Sequence, residues 1–271
     1  MDHSFTILIP VYNEEECILP LVKETNKFLE KVSIPTSILF INDGSNDKSL
    51  ELIKTVCISD KNYHFISLNR NYGLSTALKA GIDNANSTLL GYLDADLQTS
   101  PMDFFKLLEH IDQYDLVTGY RQIRQDTVIK RATSSLANYL RRILLNDNII
   151  DTGCPLKIIK TDIAKRLPFY EGLHRFIPNL VTILGGTVKQ IPIPHFKRYA
   201  GTSKFNFRNR LFGPVIDAIA LRWMQRNVIS YQINEYSKNL NGKQPNGSND
   251  KKSPSEFAIG HNPILGSREN D

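Results

Sequence analysis

Short apolar runs at 5–10, 37–42, 64–68, 88–93 and 115–119 recur along the N-terminal half of the chain. Between the first four lie stretches with helical spacing: Val22, Phe28 and Leu29; Leu50, Leu52 and Ile53; Ala77, Leu78, Ala80 and Gly81. Strands alternating with helices imply βαβ units and a mainly parallel sheet buried on both faces, an α/β fold of Rossmann-like kind. Asn13 ahead of Glu14-Glu15-Glu16 marks one helix start, since acidic residues suit a helix N-terminus. Ser100-Pro101 marks another, with proline at the first helical position. Further helices are predicted over 130–145 and 209–226. From 234 onward the chain is rich in Asn, Ser, Lys, Gly and Pro, which reads as a disordered tail. The expected organisation is therefore a catalytic domain at 1–195, a basic loop and amphipathic helix at 196–233, and the tail at 234–271.

A chain of 271 residues, 41% hydrophobic and 23% charged, suffices for one large α/β domain with a proper core. The net charge of +5 is modest, so its placement matters more. Acidic residues gather at 14–16 and basic ones at 121–142 and 197–210, as expected of one face that meets an anionic partner. Cys17, Cys57 and Cys154 lie far apart with no ligand spacing, which argues against a zinc site or a disulfide framework. A strand-like run within four residues of the N-terminus leaves no room for a signal peptide, and no apolar stretch approaches bilayer-spanning length. The expectation is a cytoplasmic protein, peripheral on the cytoplasmic face of a membrane.

Parallel α/β sheets bind ligands beyond the carboxyl ends of their strands, so the polar residues after each apolar run carry the chemistry. These are Pro10-Val11-Tyr12-Asn13-Glu14, Asn42-Asp43-Gly44-Ser45 and Asp94-Ala95-Asp96-Leu97-Gln98. Neither GxGxxG nor GxxxxGK[ST] follows the first strand, which weighs against a dehydrogenase or a P-loop nucleotidase. Carboxylates bind phosphates only through a cation. Asp94 and Asp96 at a strand end, with the Gln98 amide at the next alternate position, make a hard oxygen set suited to Mg²⁺ or Mn²⁺. An Asp-x-Asp tripeptide alone is common in acidic loops, and Asp43-Gly44 alone is a turn. Their recurrence at successive strand ends is what points to a site.

Four segments, IPVYNEEE (9–16), INDGSND (41–47), LNRNYGLSTALKAGI (68–82) and DADLQTSP (94–101), resemble family-2 glycosyltransferases of the GT-A fold. Within that family they look most like polyprenyl- and dolichyl-phosphate sugar synthases, and the resemblance runs in order from about Phe5 to Arg226. It implies a nucleotide pocket at Pro10, Tyr12, Glu14, Ile41, Asp43, Asp94 and Ala95, and a metal and diphosphate site at Asp94, Asp96 and Gln98. By the same resemblance Arg121 contacts the donor or a phosphate, and Arg198 and Lys204, in RYAGTSK, clamp diphosphate. Arg131 is chosen to grip the acceptor phosphate by charge and helix position. The segment 151–157 departs from the family's Gly-Phe-Arg-like stretch and, with His-Arg-Phe-Ile-Pro at 174–178, looks like a bacterial subgroup.

The implied reaction moves a sugar from a UDP- or GDP-linked donor to a polyprenyl phosphate by inverting single displacement. Two anions must meet, so cations are needed on both sides, which accounts for the basic segments. A phosphate monoester attacks without a dedicated base, leaving positioning and electrostatic stabilisation as the catalytic terms. Nucleic acid is the other anionic partner, but no nucleic-acid motif is present. Apolar residues at 211–224 recur at helical spacing beside arginines, as suits either a helix in lipid headgroups or a core-packing helix. Such a protein rests on the membrane surface alone or docks on a membrane-protein partner. The nearest rival keeps the fold and takes a glycan, lipopolysaccharide or protein acceptor. A processive synthase is disfavoured because Ile219 stands where its Gln-x-x-Arg-Trp motif needs glutamine.

Overall fold

The computed structural model describes residues 3–121, 144–200 and 213–227. The strands are β1 (Phe5–Val11), β2 (Thr36–Asn42), β3 (Tyr63–Ser67), β4 (Leu89–Tyr92), β5 (Leu116–Arg121), β6 (Lys157–Lys160) and β7 (Val188–Ile193). The helices are α1 (Glu15–Leu29), α2 (Ser49–Ser59), α3 (Leu74–Asn84), α4 (Phe104–Leu108), α5 (Thr161–Arg166), α6 (Ile177–Ile183) and α7 (Gly213–Asn227). Among the described residues they form one sheet in the order β3-β2-β1-β4-β6-β5-β7. Only β6 runs against its neighbours, between β4 and β5; the other pairings are parallel.

All five expected strands form, and the mainly parallel α/β fold is as the alternating pattern required. β6 and β7 were not singled out. Lys157–Lys160 has only four residues, and Val188–Ile193 is an edge strand with little buried surface. Pro192 lies in it, as an edge permits. At the expected start of a helix, Ser100 Oγ accepts the Met102 N–H and Pro101 opens a 3-10 turn leading into α4. The predicted helix at 130–145 lies almost wholly outside the described residues, and so does the tail from 234.

Two apolar layers sandwich the sheet. Phe5, Ile7, Ile9, Phe40 and Ile158 face α1, α2 and α4, while Leu8, Ile41, Leu90 and Ile159 face α3, α5 and α6. The alternation along β1 sends odd residues to one layer and even residues to the other, the period-2 signature of a strand buried on both sides. Phe5 meets Phe28 and Phe104 edge to face, with the Phe5 and Phe104 ring centroids 5.3 Å apart, and Phe28 tilts against Phe104. This cluster fills the space beside Gly91, where a Cβ would stand 2.7 Å from the Phe5 ring. Gly91→Ala is accordingly expected to lower unfolding free energy by about 1–3 kcal/mol through overpacking, measured by urea denaturation.

Candidate active site

The loops after β1 and β2 are laced together by each other's polar groups. Asn13 N–H donates to Ser45 Oγ (3.0 Å), Glu14 N–H to Ser49 Oγ (2.9 Å) and Glu15 N–H to Asp47 Oδ2 (3.1 Å). In return Asn46 N–H donates to Asn13 Oδ1 (2.7 Å) and Lys48 N–H to Glu15 Oε2 (2.8 Å). The unsatisfied N–H groups at the start of α1 are thus capped from the neighbouring loop. Asn13, expected to mark the helix start, adopts a left-handed φ of 51° and bridges the loops instead, and α1 begins two residues later.

Asp43 is buried at the end of β2 and holds a third loop. Its carboxylate accepts Tyr72 N–H (2.8 Å), Gly73 N–H (2.8 Å) and Asn71 Nδ2 (3.0 Å). Gly44 allows this approach, since a Cβ there would stand 2.2 Å from the Arg70 carbonyl carbon. The structure therefore places Asp43 as the anchor of 71–73, directly ahead of α3. Ile41 is fully buried against Gly81 of α3, so its side chain belongs to the core. Pro10 lies at the open end of β1, paired in register with Ile41, and Tyr12 follows the strand.

Beyond β4, Ala95 turns into the core while Asp94 and Asp96 stay on the polar side. Tyr92 Oη donates to Asp94 Oδ1 at 2.7 Å. Asp96 Oδ1 accepts Gln98 N–H at 3.0 Å, closing a turn in which Leu97 takes a left-handed φ of 60°. Burial, with the Asp96 charge second, raises the Asp94 carboxyl from 3.8 to about 6. Such a pair of close carboxylates calls for a cation. Among the described residues no three His, Cys, Asp or Glu side chains form a metal-holding group. A hard divalent cation at Asp94 and Asp96 would have room in its shell for neutral oxygens, diphosphate and water.

Arg198 reaches this loop from the chain after β7. Its Nη2 lies 2.9 Å from Asp96 Oδ2 and its Nη1 lies 3.5 Å from Glu14 Oε1. Gln98 donates its side-chain N–H to the Phe196 carbonyl at 3.4 Å. The structure therefore brings Asp94, Asp96, Gln98, Glu14 and Arg198 together. Arg121 ends β5 and pairs in bidentate fashion with Asp151, Nε–Oδ2 at 2.7 Å and Nη2–Oδ1 at 2.8 Å. Arg131 and Lys204 lie outside the described residues.

Three residues that contact the candidate site residues carry no local sequence signal. Tyr92 sat inside an apolar run, and Asp151 has no local signal tying it to Arg121. Lys157 is fully buried in β6, where its Nζ donates to the Cys154 carbonyl and stands 5.6 Å from the Tyr92 ring centroid. Burial pushes its pKa down, and the Asp94 charge is among the groups opposing that. The departure at 151–157 was the only available signal for this pair.

Residues 6–167 match glycosyl transferase family 2, and the chain belongs to that family. It is 36% identical over 207 residues to the undecaprenyl-phosphate 4-deoxy-4-formamido-L-arabinose transferase of Pectobacterium atrosepticum, covering 75% of this chain and 63% of that one. The protein of that name from Salmonella choleraesuis is 34% identical over 216 residues, covering 79% and 66%. The chain thus spans a little under two thirds of these relatives' length. The fold is shared with glucosyl-3-phosphoglycerate synthase from Mycobacterium tuberculosis, solved with Mn²⁺ and UDP-glucose (TM-score 0.64, 13% identity, 81% and 79% covered). It is also shared with mannosyl-3-phosphoglycerate synthase from Rubrobacter xylanophilus (TM-score 0.64, 13% identity, 87% and 79% covered). The expected GT-A fold is thereby borne out.

The raised Asp94 pKa has a thermodynamic consequence. An acid that holds its proton more tightly when folded loses stability as pH rises from its unfolded value of 3.8 through about 6. Asp94→Asn is expected to stabilise the fold by about 1–3 kcal/mol near pH 8 and to leave it unchanged at acid pH below both values. Urea unfolding at the two pH values measures the difference.

Proposed function

We propose that the chain transfers a sugar from a UDP- or GDP-linked donor to a polyprenyl phosphate by inverting single displacement. The observation that carries this reading is the carboxylate pair at the end of β4, closed over by Arg198 and flanked by the laced nucleotide loops. The named relatives, both undecaprenyl-phosphate sugar transferases, support the acceptor class. Asp94 and Asp96 would hold Mg²⁺ or Mn²⁺ with Gln98 beside them, and the bound cation supplies Lewis-acid neutralisation of the departing diphosphate. Pro10, Tyr12, Glu14 and the backbone at Ile41 and Ala95 shape the nucleotide pocket, and Asp43 fixes its 71–73 wall. Arg198 offers its guanidinium to diphosphate, and Asp151 holds Arg121 in one orientation at the end of β5. Arg131 on the acceptor phosphate and Lys204 on the diphosphate complete the proposal from the sequence resemblance. An ionised acceptor phosphate attacks without a protein base, so positioning and charge compensation carry the rate.

The site works at a membrane surface in this reading. α7 packs Ala218, Leu221 and Met224 inward. On its other side Ile216, Ile219 and Trp223 are 65%, 56% and 67% exposed. The inward face supports core packing for one side of this helix, and the exposed stripe is the side that would meet headgroups in this reading. Arg226 in its last turn complements an anionic surface. No helix among the described residues is long and apolar enough to cross a membrane.

Incubation of the protein with Mg²⁺ or Mn²⁺, several UDP- and GDP-sugars and a polyprenyl phosphate should yield one transferring combination. Asp96→Ala is expected to lower that rate by about 10²-fold or more. Transfer only to glycan or protein acceptors would overturn the acceptor class. The double change Ile219→Ser and Trp223→Ser is expected to weaken sedimentation with anionic vesicles at least about tenfold. Turnover of a short water-soluble prenyl phosphate should persist.

A further inference from the structure

We propose that Arg198 is a resident counter-cation for Asp96, so that a divalent cation enters efficiently only together with a nucleotide diphosphate that draws the arginine away. The inference rests on the donor-site reading above and adds an order of events to it. Both Asp96 oxygens are engaged: Oδ1 by the Gln98 N–H at 3.0 Å and Oδ2 by Arg198 Nη2 at 2.9 Å. A metal at this tripeptide needs an oxygen of Asp96 and would sit within ion-pair distance of the guanidinium. Two cations that close repel, and one must move.

The arginine is not a long side chain that happens to fall on a carboxylate. Its backbone is fastened to the metal loop on both flanks. Phe196 N–H donates to the Gln98 carbonyl at 2.9 Å, and Tyr199 N–H donates to the Asp96 carbonyl at 3.2 Å. Gln98 Nε2 returns a bond to the Phe196 carbonyl. Glu14, at 3.5 Å, offers the guanidinium a second carboxylate. The strap 196–199 therefore delivers the positive charge to Asp96 through the fold itself.

What displaces it must be more attractive to a guanidinium than one carboxylate. A diphosphate is, because its oxygens match the planar fork and carry more charge. The Arg198 side chain is 26% exposed against 8% for Asp96, so an incoming anion meets the arginine before it meets the aspartate. A diphosphate that takes Arg198 frees Asp96 for the cation it brings. Metal and nucleotide then bind with positive coupling beyond their direct chelation. A sugar phosphate lacking the second phosphate would open the site less well.

The test is Mn²⁺ affinity by electron paramagnetic resonance, with and without UDP or GDP, for the full chain and for Arg198→Gln and Arg198→Lys. Arg198→Gln should bind Mn²⁺ alone about tenfold more tightly than the unaltered protein, with a smaller gain on adding nucleotide. Arg198→Lys should fall between them, since one ammonium cannot span Asp96 and Glu14, and it serves if the glutamine variant is insoluble. Unchanged far-ultraviolet circular dichroism and a stoichiometry of one Mn²⁺ separate this rise from non-specific binding to a misfolded chain. Unchanged or weaker Mn²⁺ binding by both variants, while the unaltered protein binds Mn²⁺ with UDP or GDP, would overturn the proposal alone. Failure of the unaltered protein to bind Mn²⁺ with either nucleotide would overturn the donor-site reading and this inference with it.

Discussion

Two carboxylates two residues apart at the end of a buried strand repel each other, and the surrounding structure is arranged around that repulsion. Asp94 receives a hydroxyl hydrogen bond from Tyr92, and Asp96 receives the Arg198 guanidinium. The charge of Lys157 opposes the rise at Asp94, from a fully buried position that lowers the lysine's own pKa. Even so the Asp94 carboxyl remains raised to about 6, with burial as the main cause. In the proposed reaction a bound cation would supply the rest of the compensation, and the stability lost at Asp94 would serve that binding.

The same logic explains which parts of the site were legible in sequence. Asp94, Asp96 and Gln98 lie within five residues directly after an apolar run, so their clustering at a strand end shows in the sequence at once. The strand-helix alternation was equally local, because β1 to β4 are regular units with apolar runs of ordinary length. Partners distant in sequence left no such trace. Arg121 and Asp151 are thirty residues apart in sequence, and their pairing exists only because β6 returns antiparallel between β4 and β5. Tyr92 counted as one more apolar residue, since nothing local shows that its hydroxyl points at Asp94. Ile41 shows the opposite case: a strand end near the pocket, yet a side chain turned into the α3 layer.

Asp43 illustrates a further limit of motif reading. A carboxylate after a parallel strand suits a ribose or base, and the sequence reading assigned it to the nucleotide pocket on resemblance. In the structure its oxygens accept two backbone N–H groups and the Asn71 side chain. A buried carboxylate with such donors is well satisfied, and its first effect is to fix the loop that opens α3. In the proposed reaction it would act on the nucleotide pocket by giving it a wall.

That wall continues through the molecule to the exposed helix. Directly after the loop held by Asp43, Ser75 Oγ receives the Gly172 N–H at 3.0 Å and pairs with His174 Nδ1 at 2.7 Å. Burial pushes His174 down to about 3, so the ring stays neutral and the pair persists across the physiological range. Gly172 in turn lies against α7. With φ of 85°, a Cβ there would stand 2.7 Å from Asp217 Oδ2. Leu221 of α7, fully buried with the α3 and α6 side chains, adds apolar contact to that junction. The helix with the exposed Ile216, Ile219 and Trp223 stripe is thus joined to the loop held by Asp43 through packed, hydrogen-bonded elements. In the proposed transfer from a soluble donor to a lipid-borne acceptor, such a connection would fix the donor site at a set height above the surface on which the helix would rest. Where an ionised phosphate attacks without a protein base, positioning of that kind would act beside charge compensation as the main source of rate.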